Sequence, residues 1–96
     1  MTEQENGIAA SARPTLGRGF RLQWEPAQQA HVLLYPEGMV KLNLSAGEIL
    51  KRCDGARTVQ EIVAELEAGF GASGLSNDVL SFMSFAVTKR WLEFPG

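Results

Sequence analysis

His31 and Cys53 carry the side chains best suited to binding a metal or attacking an electrophile, and each residue type occurs once in the 96 residues. A metal site needs several converging ligands, so a lone histidine does not build one. Cys53 falls on the apolar stripe of an expected helix, where a thiol acts as a small core hydrophobe. His31 lies in an expected strand and reads as a solvated or hydrogen-bonded ring. The glycines between Gly69 and Gly74 follow a helix, whereas a phosphate-cradling loop follows a strand. Glu61, Glu65 and Glu67 flank a core stripe and read as a solvated face. No catalytic residue, metal-ligand set or cofactor site emerges, so the expectation is a protein that is not an enzyme and holds no cofactor.

The whole chain narrows the remaining classes. Its length suits one domain. A formal net charge of -2 offers no electrostatic attraction to nucleic acid or to an anionic membrane. One cysteine excludes an intrachain disulfide. No apolar run approaches the roughly 20 residues that span a bilayer, and no basic segment followed by an apolar core opens the chain. The cytoplasm is the expected compartment.

Residues 1–19 are rich in small and polar side chains without a hydrophobic period and read as a flexible N-terminal arm, leaving 20–94 as the folded domain. Phe20 to Glu25 alternates apolar and polar residues, as a half-buried strand does. Ala30 to Tyr35 is apolar on both faces, as a central strand would be. Pro36 and Gly38 mark a tight reversal into Met39–Asn43. The expectation is a three-stranded antiparallel meander with Met39–Asn43 at one edge, where Met39, Lys41 and Asn43 share a face opposite Val40, Leu42 and Leu44.

Three helices should follow. Ser45 and Glu48 form an apparent capping box ahead of the stripe Ala46, Ile49, Leu50 and Cys53. Thr58 and Glu61 repeat it ahead of Val59, Ile62, Val63, Leu66 and Phe70. The third helix should begin between Ser76 and Asp78 and run to about Leu92. Val79, Met83, Ala86, Val87 and Phe94 make its core face, while Phe82, Phe85 and Leu92 fall on another side beside Lys89. A helix apolar around most of its girth is either deeply buried or presents a second face to a partner.

An α+β domain of this order, a meander followed by three helices, has a winged helix-turn-helix-like outline, and two binding readings stay open. A DNA-binding regulator would want basic residues at the start of the last helix, where Ser76, Asn77 and Asp78 stand instead. The alternative is a peptide added as a strand beside Met39, Val40, Lys41, Leu42 and Asn43, with the third helix as second wall. An open edge of this kind also allows a homodimer through the same strand.

Leu34-Tyr35-Pro36-Glu37-Gly38, then Leu42-Asn43-Leu44-Ser45-Ala46 with Glu48-Ile49-Leu50, then Asp54-Gly55 and Thr58-Val59 with Glu61-Ile62, resemble the PqqD family, the coenzyme PQQ synthesis proteins D. The resemblance runs from about Pro14 to Leu92. It implies a non-catalytic peptide chaperone of pyrroloquinoline quinone biosynthesis, which binds the precursor peptide PqqA and presents it to the radical-SAM enzyme PqqE. It further implies that the peptide adds beside Met39–Asn43 and against the third helix, placing Phe82, Phe85 and Lys89 on the peptide-binding wall.

Overall fold

The computed structural model describes residues 7–95. Its order is β1 (Thr15–Leu16), β2 (Arg21–Glu25), β3 (Ala30–Tyr35), β4 (Gly38–Lys41), α1 (Leu44–Lys51), α2 (Val59–Phe70), α3 (Ser76–Thr88) and β5 (Leu92–Glu93). The strands β2, β3 and β4 form the expected antiparallel meander in that spatial order. A second, two-stranded ribbon pairs β1 with β5, Thr15 opposite Glu93 and Leu16 opposite Leu92.

One face of the meander carries the core. Leu33 is fully buried, with Leu22 opposite it on β2 and Val40 on β4. His31 lies on this face too, its ring pressed on α1 so closely that a Cβ at Gly47 would come within 2.8 Å of Nδ1. Only glycine allows that approach of helix to sheet. The core continues through Ile49, Leu50, Ile62, Leu66, Val79 and Met83 of the three helices.

The expected arm is corrected over much of its length. Its first six residues lie outside the described part. From Ile8 onward the chain is bound down: Ile8 is buried and Pro14 is fully enclosed. The reason lies in α2, whose first N–H groups lack partners within the helix. Val59 and Gln60 donate theirs to the carbonyls of Ala12 and Ala10, at 2.9 and 3.0 Å. A segment without hydrophobic period is thus held by backbone hydrogen bonds together with the buried Ile8 and Pro14.

The helix ends also shift. Asn43, not Ser45, caps α1, its Oδ1 accepting from the Ala46 N–H at 2.8 Å. Glu48 is then free to bind Arg52 at 2.7 Å, and Arg52 and Arg57 both grip Glu65 of α2. The capping box at Thr58 and Glu61 stands as expected. Glu67 accepts from the Leu75 N–H at 3.0 Å at the α2–α3 link. Glu61, Glu65 and Glu67 are therefore each engaged rather than simply solvated.

Helix α3 stops at Thr88, one turn short of the expected Leu92. Arg90 adopts φ 66°, and the N–H groups of Arg90 and Trp91 return to the carbonyls of Val87 and Ala86. That closure is the Schellman pattern, here with arginine where glycine is usual. It frees Leu92 and Glu93 to pair with β1. Val87, expected in the core, is exposed on α3, as is Phe70 at the end of α2.

Candidate peptide-binding site

Backbone geometry decides what the β4 edge offers. The N–H of Leu42 donates to the carbonyl of His31 at 3.0 Å, so His31 and Leu42 are a hydrogen-bonded pair. Such pairs alternate along an antiparallel ladder. With Leu33 opposite Val40 and Tyr35 opposite Gly38, the groups of Gly38, Val40 and Leu42 point inward to β3. Those of Met39 and Lys41 point outward, and no strand among the described residues pairs with them.

The side chains divide differently. Met39 and Lys41 project from the sheet face opposite α1 and are exposed, Met39 at 57%. Val40 is half-buried against the core, and Leu42 is a buried core residue. The strand itself ends at Lys41, so Asn43 contributes no ladder position. Its carboxamide instead caps α1, with Ser45 Oγ also donating to it at 3.2 Å. Of the five edge residues expected at the site, only Met39 and Lys41 present free backbone groups.

Beyond the end of β4 opens a largely apolar groove of about 610 Å³. Asn43 and Leu44 form its near lip, Leu66 and Phe70 of α2 and Leu75 its floor and far side, and Asp78 and Phe82 of α3 its other wall. Leu44 is 69% exposed and Phe70 is 45% exposed. In the sequence Phe70 reads as part of a core stripe and Leu44 as sharing a face with Val40 and Leu42, because period alone cannot tell lip from core.

Along α3 the spacing Asp78, Phe82, Phe85, Lys89 follows one helical flank. Phe82 lines the groove, and Phe85, 48% exposed, continues the flank beyond it. Trp91, brought back by the turn at Arg90, stands edge-on to Phe85 with centroids 5.5 Å apart and lies 6.4 Å from Phe82. Lys89 Nζ sits 5.6 Å from the Phe85 ring centroid, a cation–π contact. The structure thus gathers Phe82, Phe85 and Lys89 into one aromatic stripe capped by a cation, to which sequence reasoning had not added Trp91. Asp78, in the groove wall, and Lys41, on the outer sheet face, form no ion pair among the described residues.

Cys53 and His31 are both taken up by packing contacts. Cys53 is buried and donates to the Ile49 carbonyl, and burial pushes its thiol up to about 12. His31 is stacked edge-on with Trp24 at 5.0 Å. No cluster of three or more metal-ligating side chains occurs among the described residues.

An open sheet edge leading into an apolar helical groove defines a small α+β binding module, and solved structures include one of this fold. The solution structure of the PqqD truncation of Methylobacterium extorquens PqqCD, described as a stand-alone recognition element for ribosomally synthesized and post-translationally modified peptides, superposes with a TM-score of 0.75. The two share 33% identity, over 92% of this chain and 96% of that one. Residues 30–92 match the family model for coenzyme PQQ synthesis protein D (PqqD), and the chain belongs to that family. Relatives named "PqqA binding protein" include one from Stutzerimonas stutzeri, 54% identical over 81 residues, which cover 83% of this chain and 88% of the relative. Another, from Pseudomonas aeruginosa strain UCBPP-PA14, is 58% identical over the same shares.

Proposed function

We propose that this chain binds the precursor peptide PqqA as an added strand on β4 and presents it to the radical-SAM enzyme PqqE, acting in the cytoplasm as a non-catalytic chaperone of pyrroloquinoline quinone biosynthesis. The observation that carries the reading is the outward pair of backbone groups at Met39 and Lys41. A peptide laid there completes hydrogen bonds that β4 leaves open, and alternate side chains of that peptide then meet the α3 flank. Phe82 and Phe85 supply apolar anchorage, and Lys89 and Lys41 supply cations. The site residues proposed are accordingly Met39 and Lys41 through their backbone, with Phe82, Phe85 and Lys89 through side chains. Val40, Leu42 and Asn43 support the edge from within.

Strand addition suits presentation, because the peptide to either side of the paired stretch remains free for an enzyme. The winged helix-turn-helix outline does not favour DNA. Helix α3 begins with Ser76, Asn77 and Asp78, and the net charge is -2, so neither phosphate contact nor general attraction is supported.

Chemical-shift mapping of labelled protein, titrated first with PqqA and then with PqqE, tests the reading. Amide shifts concentrated at Met39 and Lys41, with ring shifts at Phe82 and Phe85, are expected in the first stage. New shifts outside that set are expected in the second. A first stage that leaves β4 untouched removes strand addition here, and a second stage without change removes delivery to PqqE.

A further inference from the structure

The meander has a second edge, at β2, with which no strand among the described residues pairs. Because His31, Leu33 and Tyr35 direct their backbone groups to β4, the alternating residues Ala30, Val32 and Leu34 direct theirs to β2. Their partners Glu25, Gln23 and Arg21 are therefore satisfied, and Leu22 and Trp24 turn their N–H and C=O groups outward. Trp24 is 51% exposed, a large apolar side chain at an unpaired edge.

The five residues Arg21-Leu22-Gln23-Trp24-Glu25 are complementary to themselves when reversed. We infer that a second copy of this chain pairs antiparallel with β2 about a two-fold axis through Gln23. In that register the outward groups of Leu22 meet those of the partner's Trp24, and the reverse, giving two hydrogen-bonded pairs. On the core side of the sheet each Trp24 lies against a Leu22. On the other side each Arg21 lies opposite a Glu25, twice, with the two Gln23 residues between them. Opposite charges and aromatic–aliphatic pairs directly across a ladder are the combinations that stabilise it.

Three details of the protomer fit this pairing. Arg21 has no ion-pair partner among the described residues. Gln23 Nε2 donates to Glu25 Oε2 at 2.8 Å, holding that carboxylate on the same face as Arg21 and leaving Oε1 open. Pro26, which has no N–H to donate, ends the pairing at five residues. The β4 edge is a poorer choice for a second copy. Its isologous register would set Met39 opposite Lys41, with neither charge nor shape complementarity. The homodimer expected at β4 thus moves to β2, and a six-stranded sheet results with both β4 edges outermost.

Sedimentation equilibrium of the full chain over a wide concentration range tests the interface, with circular dichroism to check each fold. Wild type should show reversible monomer–dimer association. R21E alone and E25R alone each place like charges opposite one another twice and should weaken it about tenfold or more. The R21E/E25R double variant restores opposite charges and should return association to the wild-type level. A chain monomeric at every concentration overturns the proposal, as does association indifferent to the single changes. Failure of the double variant to recover overturns the register, and loss of association in K41P with the swaps silent assigns the pairing to β4 instead.

Discussion

The Leu42 N–H lies 3.0 Å from the His31 carbonyl oxygen, and this bond fixes which residues of the edge strand face inward. It makes neighbouring proline substitutions opposite in effect. Val40→Pro removes a ladder N–H and should destabilise the fold by about 3 kcal/mol, the scale of an interior proline. Lys41→Pro removes an N–H that points away from β3 and should leave the fold nearly intact. It should instead weaken PqqA binding by about 0.5–1.5 kcal/mol, the net worth of one hydrogen bond. Thermal melts and calorimetry separate the two, and a folded Lys41→Pro variant with unchanged affinity contradicts strand addition.

Phe85 is half-exposed at the outer end of the α3 flank and touches Trp91 and Lys89. Phe85→Ala should weaken PqqA binding by about 1–3 kcal/mol, as loss of an aromatic anchor does. Val87 is also exposed on α3 but lies off that flank, so Val87→Ala should bind normally. Equal affinities for the two variants would remove the flank from the site.

The Cys53 thiol, raised to about 12 from an ordinary value near 9, should resist disulfide reagents in the folded protein at mildly alkaline pH. Its linkage to stability follows. The unfolded chain loses the proton first, so the unfolded state gains as pH rises from about 9 towards 12. Cys53→Ala should flatten that part of the stability profile. Rapid labelling of native protein would show that helix α1 opens far more readily than its packing implies.

Acid acts through the α1–α2 clamp. The hydrogen bond from Arg52 holds Glu48 below the usual carboxylate range, and backbone N–H groups of Ala56 and Arg57 do the same for Asp54. Both contributions are present above the ordinary carboxylate values of 4.5 and 3.8 and are lost as pH falls through the lowered folded values. Glu48→Gln should reduce the slope of stability against pH in that acid window. Because Glu48 remains in contact with solvent, the effect of this change at neutral pH should stay within about 1 kcal/mol. An unchanged slope, followed by thermal melts below pH 5, would mean that Glu48 carries no part of the acid response.

Ile8 tests the corrected N-terminal segment. Its side chain is buried among the helices' core residues, so Ile8→Ala should destabilise the domain by about 2 kcal/mol or more. A change too small to measure would return this stretch to the status of a loose arm.

Periodicity made much of this fold legible. Alternation in Phe20–Glu25, Pro36 with Gly38, and the capping pair Thr58 and Glu61 each mark an element by local chemistry, and the structure keeps all three. What escaped depends on partners distant in sequence. A two-residue strand such as Leu92–Glu93 has no period, and it exists because Arg90 takes a left-handed turn that its side chain does not advertise. Asn43 and Ser45 are both good helix caps, and with Asn43 in that role Glu48 pairs with Arg52 instead of closing a capping box. Edge phase is equally hidden, since alternation tells which face a side chain occupies but not which backbone groups are left over. The aromatic flank was visible as Phe82 and Phe85, whereas Trp91 joins it only through the turn.

The ribbon of β1 and β5 sets Thr15 directly opposite Glu93, so the polypeptide comes in and goes out side by side. Gly55, just past the far end of α1, donates its N–H to Pro14 at 2.9 Å and anchors that doorway there. The groove opens at the other end of the same helix, about 12 Å away for eight residues. A neighbour tethered after Glu93 therefore hangs from the side of the domain remote from the groove's mouth. Such a plan would let the unit ride as a cassette on a longer polypeptide without covering the groove; the Methylobacterium extorquens relative is itself a PqqD truncation of PqqCD.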